Sequence, residues 1–326
     1  HSYERNDSEE VYNEEITRTK DNFTLDCEMS VELDLGEPPQ ELKEYSKKEL
    51  GEDPDTIAKV LQDFRDLIYE RGECNPHRMD DKYLTRFLRA RAFHLEKAHR
   101  LMVRYYNFKE ENPEFHEGVN PLGLRHLGED DIMSVLPYRE QTGRRIMLYR
   151  MGNWDPSKFG VEELFKGTLV ILELGVLEPR AQILGGVCIF DLADITMQHA
   201  WHVTPSVARK VVELMVTSFP MKTYAIHILN QSWVFEVIFA IFRPLLDARM
   251  RDRIFFHGAD MESLHQHIDP KYLPEVYGGS REECPYYMWF DSLKYNSDVM
   301  DELVSLGYHC EDDDVGVYKP TRTTFD

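Results

Sequence analysis

Four short, nearly continuous apolar runs punctuate this chain, at Arg145–Met151, Gly186–Leu192, Tyr224–Asn230 and Arg253–His257. A strand covered on both faces reads as such a run rather than as an alternation of apolar and polar residues. The stretches between them, Val161–Glu178, Thr204–Ser218 and Val234–Leu246, have helical length, and Thr204-Pro205 offers an N-cap followed by a first-turn proline. Strand and helix in alternation predict βαβ units and a mainly parallel sheet.

Upstream the pattern is helical throughout. Ile57, Val60, Leu61, Phe64, Leu67 and Ile68 follow i, i+3, i+4 spacing until Asn75-Pro76 interrupts it. Asp80-Asp81 then stands where an N-cap belongs, ahead of Tyr83, Leu84, Phe87 and Leu88. A third helix is predicted from Leu95 through Phe108, with Ala98, Leu101, Met102 and Tyr105 on one face, ending near Asn112-Pro113. The expected division is an acidic N-terminal extension over 1–50, a helical domain over 51–118, an α/β domain over 119–295 and an acidic C-terminal extension over 296–326. Residues 1–40, polar and stopped by Pro38-Pro39, read as a flexible or partly ordered tail.

The formal charge of −21 argues against a general nucleic-acid binder, which needs a basic face for phosphates. The charge is unevenly placed, however. The two ends carry −9 and −6, leaving only −6 for the central 245 residues. Within that centre, residues 82–109 hold eight basic side chains against the single acid Glu96. Screening acts over about 8 Å at physiological salt, so a local basic island can act despite the total. Five dispersed cysteines, an odd number without C-x-x-C pairs, fit a reducing compartment. No signal-like apolar stretch follows residue 1 and no apolar run reaches the ~18 residues of a membrane span, so a soluble cytoplasmic protein is expected.

Enzyme motifs are missing. There is no G-x-G-x-x-G, no G-x-x-x-x-G-K-[ST], no G-x-S-x-G and no H-E-x-x-H. His199 and His202, three apart beside Asp194, suit capping or packing better than a metal, for want of a third ligand nearby. His227 and His257 fall inside strand runs and read as core histidines. No catalytic residue, metal or cofactor is expected, which points to a binding protein.

Two segments stand out instead. Trp233–Phe242 is apolar nearly all round, interrupted by Glu236, and at ten residues is too short to span a bilayer. It reads either as a core helix or as a movable lid that covers a pocket and dips into a membrane interface when open. Directly behind it come Arg243, Arg249, Arg251 and Arg253, diluted by Asp247 and Asp252, a cluster suited to the phosphates of an anionic surface.

At this point the chain resembles the CRAL-TRIO lipid-transfer family. The matching residues are Arg86-Phe87-Leu88-Arg89-Ala90-Arg91, Asn153-Trp154-Asp155-Pro156, Phe190-Asp191-Leu192, Thr204-Pro205-Ser206-Val207-Ala208, Ser218-Phe219-Pro220-Met221-Lys222, Ile226-His227-Ile228-Leu229-Asn230, Arg243-Pro244-Leu245-Leu246 and Tyr277-Gly278-Gly279. They stand in family order from about residue 50 to 290, and the look is nearest to the branch of the α-tocopherol transfer and retinaldehyde-binding proteins. The resemblance implies a helical domain packed on an α/β domain whose sheet floors an apolar cavity, with Trp233–Leu246 as its gate. It carries ligand-binding positions onto Tyr149, Phe165, Thr168, Leu172, Val187, Leu214, Met215, Met221 and Ile226. Gate residues facing the cavity are expected to be Phe235, Ile238 and Phe239.

A phosphoinositide-binding cleft carries over onto Arg89 or Arg91, Lys222, Arg249 and Arg253. One basic position of that cleft reads Tyr224 here, with Arg251 as a partial replacement. The tocopherol branch holds its cargo's hydroxyl with a serine pair, and those positions read Thr168 and Leu172. The glutamate and lysine that hold a phosphatidylinositol head group in another branch read Met221 and Arg253. The resemblance therefore implies a carrier of a retinoid, carotenoid, tocopherol or similar terpenoid, transiently bound to phosphoinositide-containing membranes. The rival expectation is a phosphoinositide-responsive signalling or trafficking scaffold that moves no cargo.

Overall fold

The apolar runs form neighbouring strands of one sheet, ordered β1-β2-β3-β4-β5, in the computed structural model, which describes residues 31–281, 283, 287–312 and 316–317. In chain order the elements are α1 (Gln40–Tyr45), α2 (Ile57–Arg71), α3 (Asp81–Ala90), α4 (Leu95–Glu111), α5 (Arg125–Glu129), β1 (Met133–Val135) and β2 (Ile146–Arg150). Then follow α6 (Val161–Gly175), α7 (Pro179–Leu184), β3 (Gly186–Asp191), α8 (Met197–Trp201), α9 (Pro205–Val212), β4 (Thr223–Leu229) and α10 (Trp233–Phe242). The last are α11 (Ala248–Arg251), β5 (Ile254–Gly258), α12 (Met261–His265), α13 (Met288–Leu293) and α14 (Ser297–Ser305). Strands β2 to β5 are parallel, and β1 runs antiparallel along β2. The mainly parallel α/β sheet is thus as the apolar runs imply, with β1 added; three residues are too few to show a period.

Local chemistry explains the helix starts. Asp80 caps α3 by accepting the Tyr83 N–H, and Thr204 caps α9 by accepting the Val207 N–H, with Pro205 in the first turn. The predicted helix from Val161 stops at Gly175 and resumes at Pro179, whose ring suits a first helical turn. The one predicted from Thr204 passes into a π-helical turn, Glu213–Thr217.

The sheet sorts its side chains by parity. Met147, Tyr149, Cys188, Phe190 and Ile226 enter the larger core with the helices, whereas Ile146, Leu148, Val187, Ile189 and Leu229 pack with Leu264, Ile268 and Leu273 on the other face. At the start of β3, Gly185 has φ 75°, and a Cβ there would lie 2.4 Å from the Lys222 carbonyl oxygen. A side chain is excluded on both counts, and Lys222 is thereby set against this turn, its carbonyl accepting the Gly186 N–H.

The larger core is shared by the helical block and the α/β part. Tyr105 and Lys109 of α4 meet Glu173 of α6 at 2.8 and 3.1 Å, all three buried. The C-terminal stretch joins the same core: Val299, Met300 and Leu303 of α14, then Tyr308 and Cys310, are buried in it, and Glu302 pairs with Arg78 at 2.9 Å. So the stretch from 296 is not a detached tail as far as it is described. Nor is all of 1–50: Leu42 and Leu50 pack on Ile183 and Leu184, and the Asp34 N–H donates to Glu178. Residues 1–30 and Asp313-Asp314 lie outside the described residues.

Candidate ligand cavity and gate

A cavity of about 230 Å³ lies between the sheet and helices α6, α9 and α10. Its floor is Tyr149, Phe190, Ile226, Ile228 and Ile254, side chains of one parity from four adjacent strands. One wall is Val161, Leu164, Phe165 and Thr168 on α6; the opposite wall runs from Val203 through Val207 and Val211 to Leu214, Met215 and Val216. The π-helical turn thus presents three successive side chains to the cavity, as such turns often do at functional sites.

Helix α10 closes the cavity with Phe235, Ile238, Phe239 and Phe242. Phe235 and Phe239 stack at 5.3 Å, and Phe256 of β5 meets Phe239 edge-on at 5.3 Å. The outward side of α10 carries Trp233, 68% exposed, and Val237, 44% exposed, with the exposed Glu236 among them; α8, which packs on α10, ends in Trp201, 74% exposed. Arg243-Pro244 ends the helix in a 3-10 turn, since proline supplies no N–H to continue it.

Polar groups in the lining are few and satisfied. Tyr149 Oη and Thr168 Oγ1 are 2.7 Å apart and bond each other, and Trp154 Nε1 donates to the Phe159 carbonyl at 3.1 Å. Burial raises the Tyr149 phenol far above its ordinary pKa, so it stays neutral.

Of the twelve expected ligand-binding positions, the structure gathers Tyr149, Phe165, Thr168, Leu214, Met215, Ile226, Phe235, Ile238 and Phe239 around this cavity. It places three elsewhere. Val187 pairs with Ala225 and shares its parity, so it faces the smaller core. Leu172, one turn past Thr168, is buried in core packing and does not line the cavity. Met221 lines a separate recess of about 70 Å³ with Ile171, Leu174 and Leu33. Sequence reasoning passed over Val203, Val207 and Val211, although their i, i+4, i+8 spacing was readable, and Ile228 and Ile254, which share the strand parity of Ile226.

The expected basic positions divide in the same way. Arg89 is bound inside, pairing with Glu52 at 2.6 Å and donating to Gln182 at 2.8 Å. Arg91 donates to the carbonyl oxygens of Ala90 and Val216, at 2.9 and 3.5 Å. Arg249, Arg251 and Arg253 are exposed. Lys222 and Arg253 immediately precede the parallel neighbours β4 and β5, so both lie at the strands' N-terminal ends, and Arg253 donates to the Tyr224 carbonyl at 3.3 Å. In the basic island, Arg86, Arg89 and Lys109 have acidic partners in the fold, while Lys82, Lys97, Arg100 and Arg104 are exposed. His199 caps α8: its Nδ1 accepts the Thr196 N–H and its Nε2 donates to the Trp154 carbonyl. Among the described residues no group of three or more His, Cys, Asp or Glu is arranged to hold a metal, and no helix is long and apolar enough to cross a membrane.

The CRAL/TRIO domain model matches residues 129–279. Clavesin-2 of Homo sapiens is 34% identical over 263 residues, covering 80% of this chain and 80% of its own. Clavesin-1 of Xenopus laevis is 33% identical over 252 residues, covering 77% and 76%. Among solved structures, the crystal structure of Sfh5 aligns with a TM-score of 0.43 at 15% identity, covering 73% of this chain and 91% of that one.

Proposed function

Because the chain belongs to the CRAL/TRIO domain family, we propose that it is a carrier, not an enzyme, for one apolar small molecule held beneath α10 and exchanged at phosphoinositide-containing membranes. The observation that carries this reading is the lining: every side chain around the cavity is apolar except Tyr149, Thr168 and Trp154, and these are already hydrogen-bonded. A polar cargo would leave its own groups unpaired there, at about 1–3 kcal/mol each. Two hydroxyls sharing one hydrogen bond retain one O–H hydrogen between them. The cavity therefore favours a hydrocarbon skeleton with one or two oxygens, as in a retinoid, an oxygenated carotenoid, a tocopherol or a related terpenoid.

Release follows from the same layout. An apolar ligand leaves slowly into water, so an open state has to be favoured by something at the destination. Trp233, Val237 and Trp201 supply apolar area for a membrane interface, and Arg249, Arg251, Arg253 and Lys222 supply cations for phosphates. Organic extraction of the purified protein followed by mass spectrometry tests the reading. One stoichiometric terpenoid-like molecule is expected; a folded protein that yields none and binds no added terpenoid overturns it.

A further inference from the structure

Behind the cavity floor, on the other sheet face, three histidines meet. Alternation along β4 and β5 turns Ile226, Ile228 and Ile254 toward the cavity and His227 and His257 away from it. His227 Nδ1 and His257 Nε2 are 2.9 Å apart, and His257 Nδ1 is 2.7 Å from Ser263 Oγ. The ring of His267 lies 5.1 Å from that of His227 and 5.7 Å from that of His257, and Phe255 covers it at 4.3 Å. A nitrogen–nitrogen contact of 2.9 Å holds one proton, donated by one ring and accepted by the other. Protonating both rings sets two N–H groups against each other beside a third imidazole.

The surrounding charges do little to offset this. Asp260, before α12, acts on His257. Glu140, from the β1–β2 connection, lines a small recess with His227, His267 and Tyr224, but its carboxylate accepts from the N–H groups of Thr142 and Arg144 and from the Thr142 hydroxyl, and Arg144 stands beside it. On α12, His265 is bonded to the Tyr277 carbonyl and Glu262 is exposed. Past His267, the Asp269 carboxylate accepts the Lys271 N–H. Burial lowers the pKa of all three histidines, that of His257 to about 4.

These strands also hold the gate. β5 is the edge strand, and its pairing with β4 shifts between Ile228 and Leu229. Its cavity-side residue Ile254 is part of the floor, and Phe256 contacts both Phe235 and Phe239 of α10. We propose that His227, His257 and His267 form an acid-opened latch: proton uptake breaks the His227–His257 bond, loosens β5, releases α10 and so favours cargo release in acidic surroundings. The latch assigns a regulation to the cavity and rests on the carrier reading above. Histidines hydrated in the open state titrate near their ordinary value of about 6.5. The closed state therefore keeps its full advantage above that pH and loses it as pH falls toward the depressed values. Within that window each exposed histidine shifts the balance toward opening by up to about tenfold per pH unit.

The test uses the full chain loaded with retinol, a fluorescent polyene with one hydroxyl and no group that titrates in this range, at pH 7.5 and acidified stepwise, with circular dichroism recorded alongside. Loss of the bound probe centred near pH 5.5 with unchanged circular dichroism is expected. His227→Gln and His257→Gln should each move that midpoint down by at least one pH unit. Identical midpoints in wild type and variants, or release only with global unfolding, overturn the latch. Should the variants fail to fold, hydrogen exchange of the 254–258 amides in the unloaded wild type decides it. A loss of protection of at least tenfold between pH 7.5 and 5.5, after correction for intrinsic rates, is expected; unchanged protection overturns it. A wild type that binds no probe at pH 7.5 counts against the carrier reading, and the exchange measurement still decides the latch.

Discussion

The guanidinium of Arg144 lies 3.5 Å from the ring centroid of Tyr224. Arg144 is buried, its Nε donating to the Leu184 carbonyl at 2.8 Å and its Nη1 to the Thr142 hydroxyl at 2.6 Å. Tyr224 occupies the position where the family resemblance implies a basic residue. The structure gives a reason for an aromatic ring there: a cation is already fixed against it from the β1–β2 connection, and a desolvated cation–π contact contributes about 2 kcal/mol.

Restoring a cation at this position should therefore harm the fold. Tyr224→Lys is expected to lower stability by about 2–3 kcal/mol, through the lost ring contact and the repulsion from Arg144. Tyr224→Phe keeps the ring and should cost less than half as much. Denaturant unfolding of the two variants checks this; equal losses would mean that the ring is not what matters.

The Tyr149–Thr168 pair makes a second prediction. Thr168→Val leaves the buried Tyr149 hydroxyl without its partner, at about 1–3 kcal/mol of stability. Adding Tyr149→Phe removes the stranded group, and the double variant should recover most of the loss. It should also prefer a hydrocarbon over its oxygenated analogue more strongly than wild type does. Thermal unfolding and competition binding measure the two effects.

A third prediction concerns the joint between α4 and α6. Glu173 is 1% exposed and holds both Lys109 and the Tyr105 hydroxyl. Glu173→Leu strands a buried ammonium and should cost about 3–5 kcal/mol, whereas Glu173→Leu with Lys109→Met should cost much less. A double variant no more stable than the single one would show that the ion pair itself, rather than the stranded charge, sets the cost.

How far the sequence can be read is visible in these same residues. The strands and the gate helix are legible because local pattern determines them: apolar runs, Thr204-Pro205, and Trp233–Phe242 with Glu236 as its one charged residue. The C-terminal helix was equally local. Val299, Met300 and Leu303 form a buried face, but Asp298, Asp301 and Glu302 around them make the stretch read as an acidic tail. Pairings between distant segments leave no such trace. That Arg89 is bound by Glu52, and Lys109 by Glu173, depends on how segments dock, so a run of basic residues overstated the charge available at the surface. Val187 marks a further limit: apolar runs covered on both faces carry no alternation, so residue parity in β3 is fixed only once its register with β4 is known.

Membrane delivery supplies the last prediction. Arg249, Arg251 and Arg253 are exposed on and beside α11, directly after the gate, while Arg89 is bound within the fold. Each exposed cation near an anionic bilayer is worth about 1 kcal/mol, and three reversed charges replace attraction with repulsion. A Lys222→Glu, Arg249→Glu, Arg253→Glu variant should keep its cargo in solution, because none of the three lines the cavity. Its transfer to phosphoinositide-containing liposomes should slow by at least tenfold, with little change for neutral liposomes. Raising the salt should slow wild type toward the variant, since screening weakens attraction between exposed charges and phosphates. Arg89→Gln should act differently: loss of its bonds to Glu52 and Gln182 lowers stability more than it lowers the transfer rate. A transfer assay on matched liposomes, run beside an unfolding curve for each variant, separates the two. Unchanged transfer by the triple variant would remove the basic cluster from the delivery step.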